Sequence, residues 1–259
     1  MPAVERRTGP IPGFAATEPV DDFSNRGRLR CSRCSVRGLC LPSGLAGRNV
    51  EDLDDLVYAT RRIPAGEMLI RAGSPFRSLY AIRTGFFKSY TEQQGRPDRV
   101  TGFQMAGEIV GLDGIDRDAH TLNVKALEDS HVCVIPYVRL EALSARLPWL
   151  RRRVHRLMSR EIGTGHGVMM LLGAMAAEER VAAFLLNLSS RFAARGFDEA
   201  EFVLRMSRED IGGYVGLTLE TVSRVFSAFR DRGLIEVQLK MVRILDVGGL
   251  HAVLGRAVL

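Results

Sequence analysis

Four cysteines are the residues of this 259-residue chain best suited to bind a metal. Cys31 and Cys34 form a Cys-x-x-Cys pair, Cys40 follows after five intervening residues, and Cys133 lies far along the chain. The N-terminal residues lack a signal-peptide pattern, so we expect the chain in the reducing cytoplasm, where structural disulfides are disfavoured. Four thiolates suit a zinc ion or an iron–sulfur cluster, and a buried free cysteine is a common core residue. A single Cys-x-x-Cys pair favours the cluster but leaves all three possibilities open.

The residues around the cysteines fit either a metal site or a core position. Arg30, Arg33 and Arg37 lie among the first three cysteines, and their charge would partly offset that of metal-bound thiolates. Cys133 lies in His131-Val-Cys-Val-Ile135, which is typical of a strand. Its neighbours alone would place Cys133 in the core.

A second set of candidate residues lies on a helix near the C-terminus. Thr218 is a typical N-cap residue, and the helix that it begins is predicted to end at Arg232. Glu220, Ser223 and Arg224 share the face opposite the apolar one, because residues three and four apart are neighbours on a helix. Glutamate can accept a bond from cytosine, arginine can bond guanine twice, and serine can contact bases or phosphate. A solvated helix could carry the same residues, so the pattern needs support from its surroundings.

That support comes from the segments on either side of this helix. Ser207-Arg-Glu-Asp210 resembles a capping box and predicts a short preceding helix, which ends at the tight turn Gly216-Leu217. Two short helices joined by a glycine turn are typical of a helix-turn-helix. The segments 234–237 and 241–244 that follow predict a two-stranded wing.

The middle of the chain predicts a small antiparallel β-roll. Short apolar segments alternate with Gly and Pro from about residue 62 to 136. Before these segments we expect an amphipathic helix over 49–61, and within them a hairpin of 79–83 with 86–90 and further strands over 124–135.

After Pro148 the apolar period changes to that of a long helix. An apolar stripe at steps of three and four residues runs along it and comprises Val154, Met158, Ile162, Gly165, Met169 and Leu172. Five arginines are expected on the rest of its surface, namely Arg151, Arg152, Arg153, Arg156 and Arg160. The stripe indicates that this helix packs against the same helix of a second copy of the chain. The alternative is that the helix packs on its own domain.

Composition excludes several other classes of protein. A hydrophobic content of 46% with 25% charged residues is ordinary for a folded soluble protein. The longest apolar run is far shorter than the ~20 residues that cross a bilayer. Lys and Arg total 36 against 30 Asp and Glu, which suits a polyanionic partner such as nucleic acid. No glycine-rich nucleotide fingerprint or paired catalytic set is present, so we do not expect an enzyme.

Together these motifs resemble the cyclic-AMP receptor protein/FNR (fumarate and nitrate reduction) superfamily of transcription regulators, and specifically its FNR branch. The resemblance runs from Cys31 to about Val247. Besides the Cys-x-x-Cys-x5-Cys motif and Cys133, it rests on Ser78-Leu-Tyr-Ala-Ile-Arg-Thr-Gly85, Leu157-Met-Ser-Arg-Glu-Ile162, Ala177-Glu-Glu-Arg-Val-Ala-Ala-Phe184 and Asp210-Ile-Gly-Gly-Tyr-Val-Gly-Leu-Thr-Leu-Glu-Thr-Val-Ser-Arg224.

The resemblance implies an α+β fold in which a cyclic-nucleotide-binding-like antiparallel β-roll is followed by a long dimerisation helix and a C-terminal winged helix-turn-helix. Its expected boundaries are a flexible tail over 1–30, a cysteine-rich loop over 31–48, the roll over 49–147, the dimerisation helix over 148–175 and the DNA-binding domain over 176–259.

The resemblance also implies a function. An oxygen-labile [4Fe–4S] cluster would be held by Cys31, Cys34, Cys40 and Cys133, and the loaded homodimer would bind a TTGAT…ATCAA-type palindrome and contact RNA polymerase. The expected DNA-binding residues are Glu220, Ser223 and Arg224, with the cap residues Thr218 and Ser207. The alternatives are a regulator with a structural zinc ion and an iron–sulfur electron-transfer protein, and anaerobic metal analysis would separate the zinc-containing regulator from the other two.

Three positions depart from patterns found in the superfamily. The cyclic-nucleotide branch has Gly-Glu and then an arginine for the phosphate, but here Gly107-Glu108 is followed by Ala119-His-Thr-Leu122, so we do not expect a cyclic-nucleotide sensor. Gly165 stands where well-known members have an acidic residue that opposes dimerisation. Leu219 stands where valine is frequent, next to Glu220, so the preferred DNA site can differ in detail.

Overall fold

The computed structural model describes residues 30–45, 48–54, 56–57, 59–93 and 95–255. All but the last residue of the expected tail over 1–30 lies outside this described part. A single 3-10 turn at Cys31–Arg33 and a short helix α1 at Arg48–Glu51 precede the β-roll.

Eight strands form the roll as two four-stranded antiparallel sheets. They are β1 Ala59–Ile63, β2 Met68–Ile70, β3 Ser78–Thr84, β4 Phe86–Gln93, β5 Arg96–Met105, β6 Ile109–Val110, β7 Asn123–Ala126 and β8 Ser130–Pro136. The strand orders are β1-β8-β3-β6 and β2-β7-β4-β5, and a 3-10 turn at Leu112–Gly114 lies between β6 and β7.

The expected hairpin of 79–83 with 86–90 is wrong, because β3 and β4 belong to different sheets. Gly85, with φ of 97°, takes the chain from one sheet to the other, and a Cβ there would lie 1.9 Å from Ser130 Oγ. The segment 124–135 forms strands as expected, with β7 in one sheet and β8 in the other. Local sequence predicts the turns, but the choice of partner strand depends on distant residues.

The helix expected over 49–61 is also wrong. Its first residues belong to the short helix α1, which ends at Glu51, whereas β1 begins at Ala59 and pairs with β8. Leu53 and Leu56 are buried as a helical stripe would require, but they reach the core from turns. Pairing with β8 overrides the helical periodicity at the end of this segment.

The C-terminal half is mostly helical. Its helices are α2 Tyr137–Arg146, α3 Pro148–Ala174, α4 Ala177–Ala193, α5 Arg208–Val215, α6 Leu219–Asp231 and α7 Val247–Leu254. The wing strands are β10 Ile235–Gln238 and β11 Met241–Ile244. A third strand, β9 Glu201–Val203, pairs with β11 and completes a three-stranded sheet. The prediction of an α+β roll, a long helix and a winged helix-turn-helix is confirmed, although α2, β9 and α7 were not anticipated.

The roll packs directly against the helix-turn-helix. Phe103 on β5 lies with its ring centroid 5.9 Å from Phe184 on α4 and 5.4 Å from Tyr214 on α5. The ammonium of Lys88 on β4 donates to the Asp210 carboxylate on α5 at 2.7 Å. One apolar core therefore spans the sheet β2-β7-β4-β5 and the DNA-binding helices.

Candidate metal centre and nucleic-acid interface

The four cysteines line one cavity of about 290 Å³. Cys31, Cys34 and Cys40 come from the loop before α1, whereas Cys133 on β8 is paired with Thr60 on β1 and Ala81 on β3. The sheet thus provides a fixed wall that carries one thiol, and the loop brings the other three to face it.

Hydrogen bonds hold the cysteine loop in place. Asp54 accepts from the backbone N–H of Ser32 at 2.9 Å and from its hydroxyl at 2.7 Å. Cys34 N–H donates to the Cys31 carbonyl at 3.2 Å, and Arg37 donates to the Ser32 carbonyl at 2.8 Å. Asp54 had not been singled out in the sequence, and it fixes the residue directly after the first cysteine.

Burial makes the thiols of Cys31, Cys40 and Cys133 poor acids in the absence of a metal. It raises the pKa of Cys31 to about 12, with further contributions from Cys40, Cys133, Asp54 and Cys34. It raises the pKa of Cys40 to about 11, and that of Cys133 to about 12 against the opposing charge of Arg83. Metal binding requires thiolates, so loading this site would release protons and would stabilise the folded loop.

The spacing of the thiols bears on what they can bind. Within the part of the chain that the structure describes, no three His, Cys, Asp or Glu side chains lie close enough to hold a metal ion. The four thiols line one cavity of about 290 Å³, which leaves space between them for a bound group.

Arg153 on α3 is buried, which corrects the expectation that it is exposed with the other arginines of this helix. Its side chain is turned toward the cysteine loop, and it donates to the carbonyl of Leu41 at 3.1 Å and to that of Cys40 at 2.9 Å. It lies three residues after the fully buried Leu150 and four before Leu157, so it shares their inward face. That spacing was the available sequence signal.

The apolar stripe that was predicted to form the dimer seam is only partly exposed to solvent in the single chain. Val154 packs against the core that contains the cysteine loop, and Leu172 packs against the core of the DNA-binding helices. The middle of the stripe is open, since Ile162 and Met169 are 61% and 63% exposed and Gly165 is exposed too. Met158 is half-buried.

The C-terminal end of α3 is tied to the helix-turn-helix. Arg180 donates to the carbonyls of Leu172 and Met175 at 2.8 Å each and to that of Val215 at 3.2 Å. A Cβ on Gly216 would lie 2.7 Å from Leu172 Cδ2. The last turn of α3 therefore contacts the tight turn between α5 and α6.

Two capped helices form the helix-turn-helix as predicted from the sequence. Ser207 Oγ accepts from Asp210 N–H at 3.0 Å, and the Asp210 carboxylate accepts from Ser207 N–H, which completes the capping box. Gly216 ends α5 in the left-handed region with φ of 67°, and Thr218 Oγ1 caps α6 by accepting from Thr221 N–H. Ser207 and Thr218 thus both serve as caps.

The face of α6 that was predicted to contact DNA points to solvent. Glu220 and Arg224 are exposed and Ser223 is half-buried. The N–H of Glu220 itself and the Thr218 hydroxyl lower the pKa of the Glu220 carboxyl, so it is an ionised acceptor. Leu219, 45% exposed beside it, adds an apolar group to the face.

The Gly-Glu pair of the roll has a role within the protein. Glu108 accepts from Arg191 on α4 and from Arg195, two residues past the end of that helix, at 2.7 Å each, so it joins the roll to the DNA-binding domain. Asp113 accepts from the backbone N–H groups of Thr121 and Leu122 and contacts the buried His120 at 3.3 Å. The glutamate is thus paired with arginines of this same chain.

Comparisons with known proteins agree with this architecture. The model of the Crp-like helix-turn-helix domain matches residues 179–253, and that of the cyclic nucleotide-binding domain matches residues 60–146. The fold is similar to that of FixK2 from Bradyrhizobium japonicum, with a TM-score of 0.70, 28% identity and coverage of 75% of this chain and 96% of that one. No helix in the described part of this chain combines the length and apolarity needed to span a membrane.

Two curated relatives are similar over most of their length. The chain is 46% identical over 230 residues to the transcriptional activator protein FnrA of Stutzerimonas stutzeri, which covers 89% of this chain and 94% of that protein. It is 44% identical over 218 residues to the fumarate and nitrate reduction regulatory protein of Vibrio cholerae, with coverages of 84% and 87%. The chain therefore belongs to the FNR/Anr branch of the Crp/Fnr regulators, and it is a DNA-binding transcriptional activator and not an enzyme.

Proposed function

We propose that this activator responds to oxygen through a [4Fe–4S] cluster held by Cys31, Cys34, Cys40 and Cys133. The observation that carries the proposal is that a loop and a sheet strand bring four thiols to the lining of one cavity. When bound, the cluster would supply an iron–sulfur centre that oxygen can dismantle.

In this proposal the protein residues bind the group and transmit its presence. Cys133 provides a ligand on a strand fixed by pairing on both sides, and the loop cysteines close over it. Asp54 holds the first turn of the loop through Ser32. Loading would therefore join the loop to the sheet and to the start of α3, which shares a core with both.

The loaded chain would dimerise along α3 and bind a palindrome of the TTGAT…ATCAA type. Ile162 and Met169 offer exposed apolar surface for a partner copy. Two copies of the Glu220, Ser223 and Arg224 face would then meet successive major-groove segments about 34 Å apart. A single copy contacts one half-site only, so loss of the dimer removes most specific affinity. Surface loops of the bound dimer would contact RNA polymerase.

The test is anaerobic purification followed by absorption spectroscopy, iron and sulfide counts, and DNA binding with and without air. We expect a coloured protein with four irons and four sulfides, and specific binding that is lost in air. Cys133→Ala should lose both the colour and the specific binding. Zinc without iron or sulfide would show a structural metal site, and equal DNA binding with and without air would refute the oxygen response.

A further inference from the structure

Arg153 forms the most direct hydrogen-bonded link between the cysteine loop and α3. Its guanidinium donates to the carbonyl of Cys40, which is one of the four cavity cysteines, and to that of the next residue, Leu41. The residue is 8% exposed, which is unusual for arginine, and the described residues offer it no ion-paired carboxylate.

We propose that Arg153 is the positioning residue that couples occupancy of the cysteine site to the dimer seam. This inference rests on the proposed function, because it names the side chain that transmits loading of that site. The guanidinium holds two successive carbonyls in a fixed fork, so a displacement of Cys40 changes the bonds of Arg153 directly.

The geometry of α3 carries such a displacement to the seam. Arg153 and Ile162 lie on one continuous helix, nine residues or about 13 Å apart at ~1.5 Å per residue. Val154, next to Arg153, also packs in the core that contains Cys31, Cys40 and Cys133. A shift or rotation of the first turns of α3 therefore alters how Ile162 and Met169 are presented to a partner copy.

Position provides the difference in energy that coupling requires. A filled site holds Cys40 through its side chain, whereas an empty one does not, so the filled state favours the loop geometry in which Arg153 bonds the Cys40 and Leu41 carbonyls. A ligand shifts a conformational equilibrium only by its differential interaction with the two states.

The test compares Arg153→Met, Arg153→Lys and the control Arg152→Met, an exposed neighbour on the same turn. Methionine keeps an apolar stem and removes the charge and the donors, whereas lysine keeps the charge and loses the fork. For each protein, prepared anaerobically, iron and sulfide are counted, and the dimer dissociation constant is measured by sedimentation with the cluster loaded and removed. The ratio of the two constants reports the coupling.

We expect a ratio of about 5–150 for the parent and for Arg152→Met, as is typical of allosteric coupling. We expect Arg153→Met to load iron and sulfide but to give a ratio near one, and Arg153→Lys to give an intermediate ratio. A parent-like ratio in Arg153→Met overturns the proposal. Failure of both Arg153 variants to load would make Arg153 part of the binding site itself and would also overturn it. A parent that binds no iron, or whose ratio is one, refutes the proposed function instead.

Discussion

The exposed centre of α3 leads to a quantitative prediction about dimerisation. Ile162 is 61% exposed in the single chain, and full burial of an isoleucine side chain contributes about 1.5–3 kcal/mol. Covering the exposed share would thus stabilise a dimer by about 1–2 kcal/mol for each protomer, or about 2–4 kcal/mol for the pair. At 1.4 kcal/mol for each tenfold change, its loss weakens the dimer by about thirtyfold to several hundredfold. Ile162→Glu should exceed this loss, because two like charges would also be brought together and desolvated.

The assay is sedimentation of the anaerobically prepared protein over a range of concentrations, with iron content measured on the same sample. We expect Ile162→Glu to retain its iron and sulfide and to sediment as a monomer at concentrations where the parent is a dimer. Thr164→Glu is the matched control, since residue 164 is exposed on nearly the opposite side of the helix. An unchanged dimer in Ile162→Glu, or an equal loss in Thr164→Glu, would refute the placement of the seam.

Four further perturbations test other parts of the structure. Arg224→Ala should reduce the discrimination between bases at one position of the operator by ~1–3 kcal/mol, and competition with base-substituted operators measures it. An equal loss of affinity for random DNA would mean that Arg224 contacts only phosphate. Lys88→Met should lower the free energy of unfolding by about 1–3 kcal/mol, because it leaves the Asp210 carboxylate without its cation, and denaturant unfolding measures it. Burial raises the pKa of Asp210, but bonds from Lys88 and Ser207 outweigh burial and lower it, so the pair stabilises the fold above the ordinary carboxyl pKa and this contribution is lost as pH falls through the lowered value. Melting temperature against pH should therefore fall less steeply in acid for Asp210→Asn than for the parent, and parallel curves would contradict this. Asp54→Asn should speed the anaerobic loss of iron to a chelator, because it weakens the two bonds to Ser32, and an unchanged rate would show that the loop is held by other contacts.

Local signals in the sequence predicted the helix-turn-helix well. The caps at Ser207 and Thr218 and the left-handed conformation of Gly216 each depend on residues no more than four positions away, and the structure has all three features. Pro148 likewise begins the long helix as expected. Such features depend on backbone conformations and hydrogen bonds that neighbouring residues supply, so they can be read without knowledge of the fold.

Pairings between distant segments could not be read in the same way. Phe86 follows Thr84-Gly85 as a hairpin strand would, yet β4 enters the other sheet because the long-range partners of the two strands differ. Nothing in the sequence indicated that Lys88 pairs with Asp210, or that Glu108 pairs with two arginines at the C-terminal end of α4 and just beyond it. These ion pairs join the roll to the DNA-binding domain.

The amino-acid sequence alone was enough to determine the type of fold, the four thiols and the polar face of α6, because residue type and short spacing define each of them. Only the tertiary structure decided that Cys133 lies across one cavity from the loop cysteines and that Arg153 turns inward to bond Cys40. Both outcomes depend on which segments share a core, and burial of apolar surface, which has no fixed sequence separation, selects those partners.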